Sequence, residues 1–181
     1  IGGGTGWLCD IIKKADSRVV ETQIVDIDNQ AQQTAIQKGH LFFCGLIEQF
    51  VTSRKYDVIL MVNLVEHVSN PRAVLQKATA LLSPNGIIII QTPNHRSLDA
   101  LSLANKCGLQ VQQFRYTQGA AFWAVSVLHL LRKWNLVKAG ATAPLVYHPA
   151  FSFISMLAAG FDFVRKPFAP LSQMQVILKH P

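Results

Sequence analysis

Five residues at the start of the chain, Gly2-Gly3-Gly4-Thr5-Gly6, can bring backbone unusually close to a ligand. Glycine lacks a Cβ and tolerates positive φ, so such a run turns sharply and leaves its amides accessible. Asp26 follows 20 residues after Gly6, at the end of the β-rich run Thr22-Gln23-Ile24-Val25-Asp26. A carboxylate there can accept two hydrogen bonds from a ribose diol. Turn and acid together point to a nucleoside. A P-loop would need Gly-Lys-Ser/Thr, but Gly6 is followed by Trp7. The dinucleotide pattern G-x-G-x-x-G fails from Gly2, whose sixth position is Trp7, and from Gly3, whose third position is Thr5. The spacing that fits is G-x-G-x-G at Gly2, Gly4 and Gly6.

A general base is the other chemistry the chain can supply. His67 and His95 each come just after a strand-like run, where an α/β sheet gathers its functional groups. For His67, packing or bonding of its loop competes with catalysis as a role. Glu66 reads as a structural acceptor. His40, His129 and His180 have no supporting motif, and His148 beside Pro149 suits the lining of a flap. The cysteines Cys9, Cys44 and Cys107 are too widely spaced for a zinc site or a disulfide framework. No metal is expected, Cys44 reads as a small buried hydrophobe, and a reduced cytoplasmic compartment fits.

These residues need elements to hold them. Trp7 to Lys14 has helical apolar spacing, and Gln30 to Lys38 is a helix closing at Gly39. Leu41 to Cys44 is a strand, and Ile47 to Val51 a short helix. Tyr56 to Val62 and Ile87 to Ile90 lack polar alternation and read as strands buried on both faces. Asn70-Pro71 opens a helix, with Asn as cap and Pro at the first position. Its apolar stripe is Ala73, Val74, Ala78, Leu81 and Leu82, and Ser83-Pro84-Asn85-Gly86 is a turn. Alternating helix and strand over residues 1–92 implies a parallel sheet with helices on both faces. Leu98 to Lys106 looks helical, and Gln110 to Tyr116 and Gln173 to Lys179 strand-like. A glycine turn normally follows a strand, so a strand is expected ahead of Ile1.

The ordered set of pieces resembles the class I S-adenosylmethionine-dependent methyltransferases, especially small bacterial members. The pieces are the glycine turn, Val25-Asp26-Ile27-Asp28, Gly45-Leu46-Ile47-Glu48, Tyr56-Asp57-Val58-Ile59 and Asn63-Leu64-Val65-Glu66-His67-Val68. They continue with Leu81 to Gly86 and Gln91-Thr92-Pro93-Asn94. The resemblance implies a doubly wound, Rossmann-like α/β sheet of seven mostly parallel strands in the order 3-2-1-4-5-7-6. Its first strand is truncated in this chain, and a helical insertion precedes the last strand, which resembles Ser172 to Lys179. It implies S-adenosylmethionine as cofactor and S-adenosylhomocysteine as product. Gly2, Gly3, Gly4 and Gly6 would pass the methionine end, Asp26 would hold the ribose hydroxyls, and Ile27 would pack on the adenine. Leu46 and Ile47 would border the ring, and Asn63 and Leu64 would flank the methionine moiety. Leu46 stands where the family often has an acid, which favours a base contact through backbone amides. The acceptor would be a small or carrier-linked molecule methylated at oxygen. A non-catalytic cofactor-binding or scaffold protein and an RNA methyltransferase are the alternatives.

The formal net charge is +7 and is uneven. Residues 1–97 hold nine Lys/Arg and eight Asp/Glu, whereas residues 98–181 hold eight Lys/Arg and only Asp99 and Asp162. A basic second half suits an acidic partner or simply a well-solvated surface. It lacks the aromatic stacking set of an RNA module. Residues 117–166 read as a helical insertion or lid within one methyltransferase domain, residues 1–181. Within it, 120–134 is apolar with the basic aromatic end Arg132-Lys133-Trp134, which suits a membrane surface, a lid or a homodimer hairpin. A substrate loop is expected to be missing near Ser97, where Asn94-His95-Arg96-Ser97 runs almost directly into Leu98.

Overall fold

A computed structural model describes residues 1–93, 98–117, 156–157, 159–161, 163–164, 171 and 173–181. The elements in chain order are α1 (Trp7–Ala15), β1 (Gln23–Asp26), α2 (Asn29–Gln37), β2 (Leu41–Cys44) and β3 (Tyr56–Val62). There follow α3 (Pro71–Leu81), β4 (Leu82–Pro93), α4 (Leu98–Lys106), β5 (Gln110–Thr117) and β6 (Gln173–Lys179). Short 3₁₀ turns stand at Ile47–Gln49 and Val65–His67.

Local sequence sets the helix ends. Asp28 caps α2, its carboxylate accepting from Gln30 N at 2.9 Å. Asn70 caps α3 in the same way, accepting from Ala73 N at 3.1 Å with Pro71 at the first position. Asp10 in the first turn of α1 and Lys13 and Lys14 in the last oppose the helix dipole. Helix α1 buries no residue fully, and Trp7 and Ile11 on it are exposed.

The strands form two sheets. β1 and β2 pair in parallel, from Gln23↔Leu41 to Asp26↔Cys44. The other sheet runs β3-β4-β6-β5, with β3 and β4 parallel. Sequence reading anticipated seven strands in one sheet; six are described, in two. Between β1 and β3 lie Ile1 and Gly2. Ile1 N donates to Leu60 O on β3 and Gly2 N to Val25 O on β1, each at 2.8 Å. One hydrogen bond to each side does not make a strand.

The core gathers Val74, Leu75, Ala78 and Leu81 of α3 against Met61, Ile88 and Val176. Each fully buried Leu or Ile adds about 1.5–3 kcal/mol over an exposed one. Two strand readings are corrected. Ile88 and Ile90 are buried but Ile87 and Ile89 are only partly so, and Val58 is 50% exposed. These runs of β-branched residues therefore pack fully on one face only. The Ser83–Gly86 turn lies inside β4. Tyr56 pairs with Leu82 and Val58 with Ile87, so the four residues bulge out of the ladder.

The chain divides into two compact units. The first comprises Ile1–Thr92, Ser97–Phe114 and Val176–Pro181, and it contains every site residue described below. The second includes Arg115 to Thr117 and the described residues from 156 to 175. Of the expected insertion, Met156, Leu157, Ala159, Gly160, Phe161, Phe163 and Val164 are helical. The apolar segment 120–134 and the junction at Ser97 lie outside the described residues. Among the described residues no helix is long and apolar enough to cross a membrane.

Candidate active site

The glycine turn is shaped by positive φ at Gly2 (68°), Gly4 (49°) and Gly6 (80°). At Gly4 a Cβ would meet nothing within 4 Å, so the turn faces open space there. Gly6 is the opposite case. A Cβ on it would stand 2.4 Å from His40 Cδ2 and 2.9 Å from Ile24 Cδ1, so only glycine fits.

Asp26, at the carboxyl end of β1, points into the turn. Its Oδ2 accepts from Gly4 N at 2.7 Å, and its Oδ1 accepts from Asp28 N at 2.9 Å. Each oxygen keeps a further lone pair, so the half-buried carboxylate can still accept from a diol. Ile27 is 71% exposed and Leu46 53% exposed, two apolar side chains close in sequence to the acid and to the Gly45 turn. Gly45 N donates to Asp26 O at 2.9 Å and ties the two loops together. Ile47 is buried in the core and supports its loop from beneath. Cys44, anticipated as buried, is exposed, with Sγ 3.9 Å from Ile27 O. It ends a short strand whose pattern leaves the last position open to water.

The end of β3 forms the other rim. Asn63 has φ 49°, a left-handed conformation that Asn tolerates better than most residues, and its N–H donates to Gln91 O at 2.7 Å. Leu64 packs under the turn, its Cδ1 3.1 Å from where a Gly2 Cβ would be. Glu66 accepts from the buried Thr92 hydroxyl at 2.9 Å, the structural part read for it from sequence. His67 extends into water, with a side chain 75% exposed and Nε2 4.0 Å from Glu66 Oε1. His95 lies outside the described residues.

Sequence reasoning missed the support behind the turn. The His40 ring is fully buried, with Nδ1 2.7 Å from Thr22 Oγ1 and Nε2 3.0 Å from Asp10 Oδ1. Lys38 Nζ reaches Asp10 Oδ2 at 3.0 Å and Thr5 O at 3.2 Å. The Lys38 ammonium, and then His40, hold the Asp10 carboxyl below the usual carboxylate range against the pull of burial. The one sequence signal was Asp10 in the first turn after the glycines.

A family described as methyltransferase domain matches residues 1–143. The chain belongs to that family, and thereby to the class I S-adenosylmethionine-dependent methyltransferases. Among curated relatives it is 30% identical over 107 residues to the ubiquinone biosynthesis O-methyltransferase of Bradyrhizobium sp. (strain ORS 278). That match covers 58% of this chain and 42% of the relative, so the chain spans under half of the relative's length. Among solved structures, the [4+2]-cyclase SpnF aligns at TM-score 0.65 and 11% identity over 99% of this chain and 72% of that one. The N-methyltransferase NodS from Bradyrhizobium japonicum WM9, solved with S-adenosylhomocysteine, aligns at TM-score 0.60 and 10% identity. It covers 99% of this chain and 75% of its own. At these identities the structures establish a shared Rossmann-like α/β fold.

S-adenosylmethionine, the cofactor of this class, suits the residues present. An open, Cβ-free turn at Gly4 faces space, a carboxylate with spare lone pairs stands beside it, and exposed Ile27 and Leu46 can cover a base.

Proposed function

We propose that this chain is the cofactor-binding part of an O-methyltransferase acting on a small molecule that carries a hydroxyl, of the phenol or quinol kind. The observation that carries the reading is the Asp26 carboxylate turned onto the Gly4 amide at 2.7 Å. The O-methyltransferase relatives support oxygen as the acceptor atom.

Asp26 would hold the ribose hydroxyls, Ile27 and Leu46 the adenine, with Ile47 fixing the second loop from below. Gly2, Gly3, Gly4 and Gly6 and the Asn63–Leu64 rim would enclose the methionine end. S-adenosylmethionine, when bound, supplies an activated methyl group on a sulfonium centre. The chain's own task is to orient acceptor and cofactor and to take up the hydroxyl proton. His67, or His95, is the assigned base; Glu66 stays on Thr92 and steadies the His67 turn. We read residues 1–181 as one domain with strand order 3-2-1-4-5-7-6. Segment 117–166 is its insertion, and 120–134 its membrane-surface or dimer contact. A cytoplasmic site of action accords with three free cysteines.

A second reading, cofactor binding without methyl transfer, draws on the likeness to a protein described as a cyclase. One experiment separates them. Calorimetry of the full-length protein with S-adenosylhomocysteine tests the shared step, and methyl transfer to a panel of catechols and quinols tests the first reading alone. Saturable binding with turnover supports methyl transfer, binding without turnover supports the second reading, and no binding contradicts both.

A further inference from the structure

We propose that His40, together with Asp10 and Lys38, is a positioning device that fixes the glycine turn from behind and so sets cofactor affinity without touching the cofactor. The proposal rests on the reading of the turn as a cofactor cradle.

The His40 side chain has no exposed surface, so it cannot meet a ligand in the cleft. Both ring nitrogens are engaged, Nδ1 by Thr22 Oγ1 and Nε2 by the carboxylate of Asp10. In the tautomer whose Nε2–H faces the carboxylate, Nδ1 accepts a hydrogen bond from the Thr22 hydroxyl. The ring edge lies where a Gly6 Cβ would have to go, so the imidazole fills the space that glycine leaves. From the same α2–β2 connection Lys38 reaches over and donates to Thr5 O, the carbonyl just before Gly6. Two consecutive turn residues are therefore held by side chains 33 or more positions away in sequence.

Asp10 closes the arrangement. Its N–H donates to Gly6 O at 2.9 Å, which makes it part of the first turn of α1. Its two carboxylate oxygens take His40 and Lys38 separately. The start of α1, Thr22 just before β1, and the α2–β2 connection are thus locked onto one turn. A histidine that only filled the core would need neither the lysine nor its bond to Thr5. The Gly4 amide, which bonds Asp26, lies one residue before the clamped carbonyl. A shift at Thr5 and Gly6 therefore moves the groups that present Asp26 to a ligand.

The test uses the full-length protein, with S-adenosylhomocysteine affinity by calorimetry, urea midpoint, and separate KM values for cofactor and acceptor. Lys38→Met is the main variant because its side chain is partly exposed and its loss spares the core. The expected result is a several-fold rise in Kd and in cofactor KM, with acceptor KM and kcat unchanged and the urea midpoint lowered only slightly, because the lost Lys38–Asp10 pair is partly exposed. His40→Ala should weaken binding at least tenfold at equal fraction folded, and His40→Gln, which can still donate to Asp10, should recover part of that loss. If His40→Ala does not fold, Lys38→Met decides. Wild-type affinity in Lys38→Met, or losses that vanish at equal fraction folded, overturns the positioning role while leaving the cofactor reading intact. A wild-type protein that binds no S-adenosylhomocysteine overturns the cofactor reading itself, and the positioning role with it.

Discussion

The two rims of the cleft are built on different principles. At the end of β1 the binding groups are backbone amides and one carboxylate, each already bonded: Gly4 N and Asp28 N to Asp26, and Gly45 N to Asp26 O. At the end of β3 the strand terminates in a left-handed Asn63, Glu66 is bonded to Thr92, and His67 next to it projects into water. The first rim is preorganised: its amides already fix the carboxylate, so a ligand's hydroxyls meet an acceptor that needs no rearrangement. The second is anchored at its base, by Asn63 N on Gln91 O and by Thr92 on Glu66, and leaves its imidazole three-quarters exposed. Under the proposed function the difference reads as a division of labour, with cofactor affinity in backbone shape and rate in an exposed side chain.

If that division holds, His67→Ala should lower kcat by about 10²-fold, the usual worth of a general base. Cofactor affinity and stability should stay as they are, because the side chain is three-quarters exposed. Rates measured across pH check this, and an unchanged kcat would move the base to His95 or elsewhere. Gly6→Ala should do the reverse. A Cβ 2.4 Å from the His40 ring, on a residue at φ 80°, costs about 1–3 kcal/mol of strain and overpacking. Urea unfolding should show that loss together with weakened S-adenosylhomocysteine binding, whereas Gly4, with open space above it, should lose less from crowding alone. Thr92→Val removes the donor to Glu66 and should cost about 1–2 kcal/mol, read in the same unfolding experiment, with little change in cofactor Kd.

The smallest effect comes from pH. Asp16, whose carboxylate accepts from the Arg18 guanidinium and from the Arg18 backbone N–H, is lowered from 3.8 to about 2. Asp10 is lowered by Lys38 and His40. A depressed folded-state value means that the stabilisation is fully present above the unfolded value and is lost as pH falls through the folded one. Urea midpoints should therefore decline from about pH 4 towards pH 2, and Asp16→Asn should flatten part of that decline. Both carboxylates face solvent, so salt should shrink the effect.

The glycine turn and the acid beside it are legible in the sequence because their signals are local. Glycines at fixed intervals, an acid at the end of a β-rich run, and the Asn70 cap depend on neighbours in sequence. The clamp was not legible, because His40 meets Asp10 across 30 residues and Thr22 across 18. Nothing next to His40 in the chain announces either partner. Burial of the strands was read too generously for a related reason. A row of isoleucines reads the same whether one face or both are covered, and only the folded packing shows that Ile88 is inside and Ile87 less so. Cys44 was misjudged because composition says that cysteines tend to be buried, while the end of a short strand says otherwise.

The central claim is that the carboxylate at position 26 and the glycine turn hold one adenosyl group between them. Asp26→Asn keeps an acceptor for the Gly4 amide and removes the charge. Charge-assisted hydrogen bonds to a ribose diol are worth about 2 kcal/mol, which corresponds to roughly 30-fold in Kd. Calorimetry of the wild-type and Asp26→Asn proteins with S-adenosylhomocysteine should show that loss in a protein that remains folded. Equal affinity in the two proteins would contradict the account.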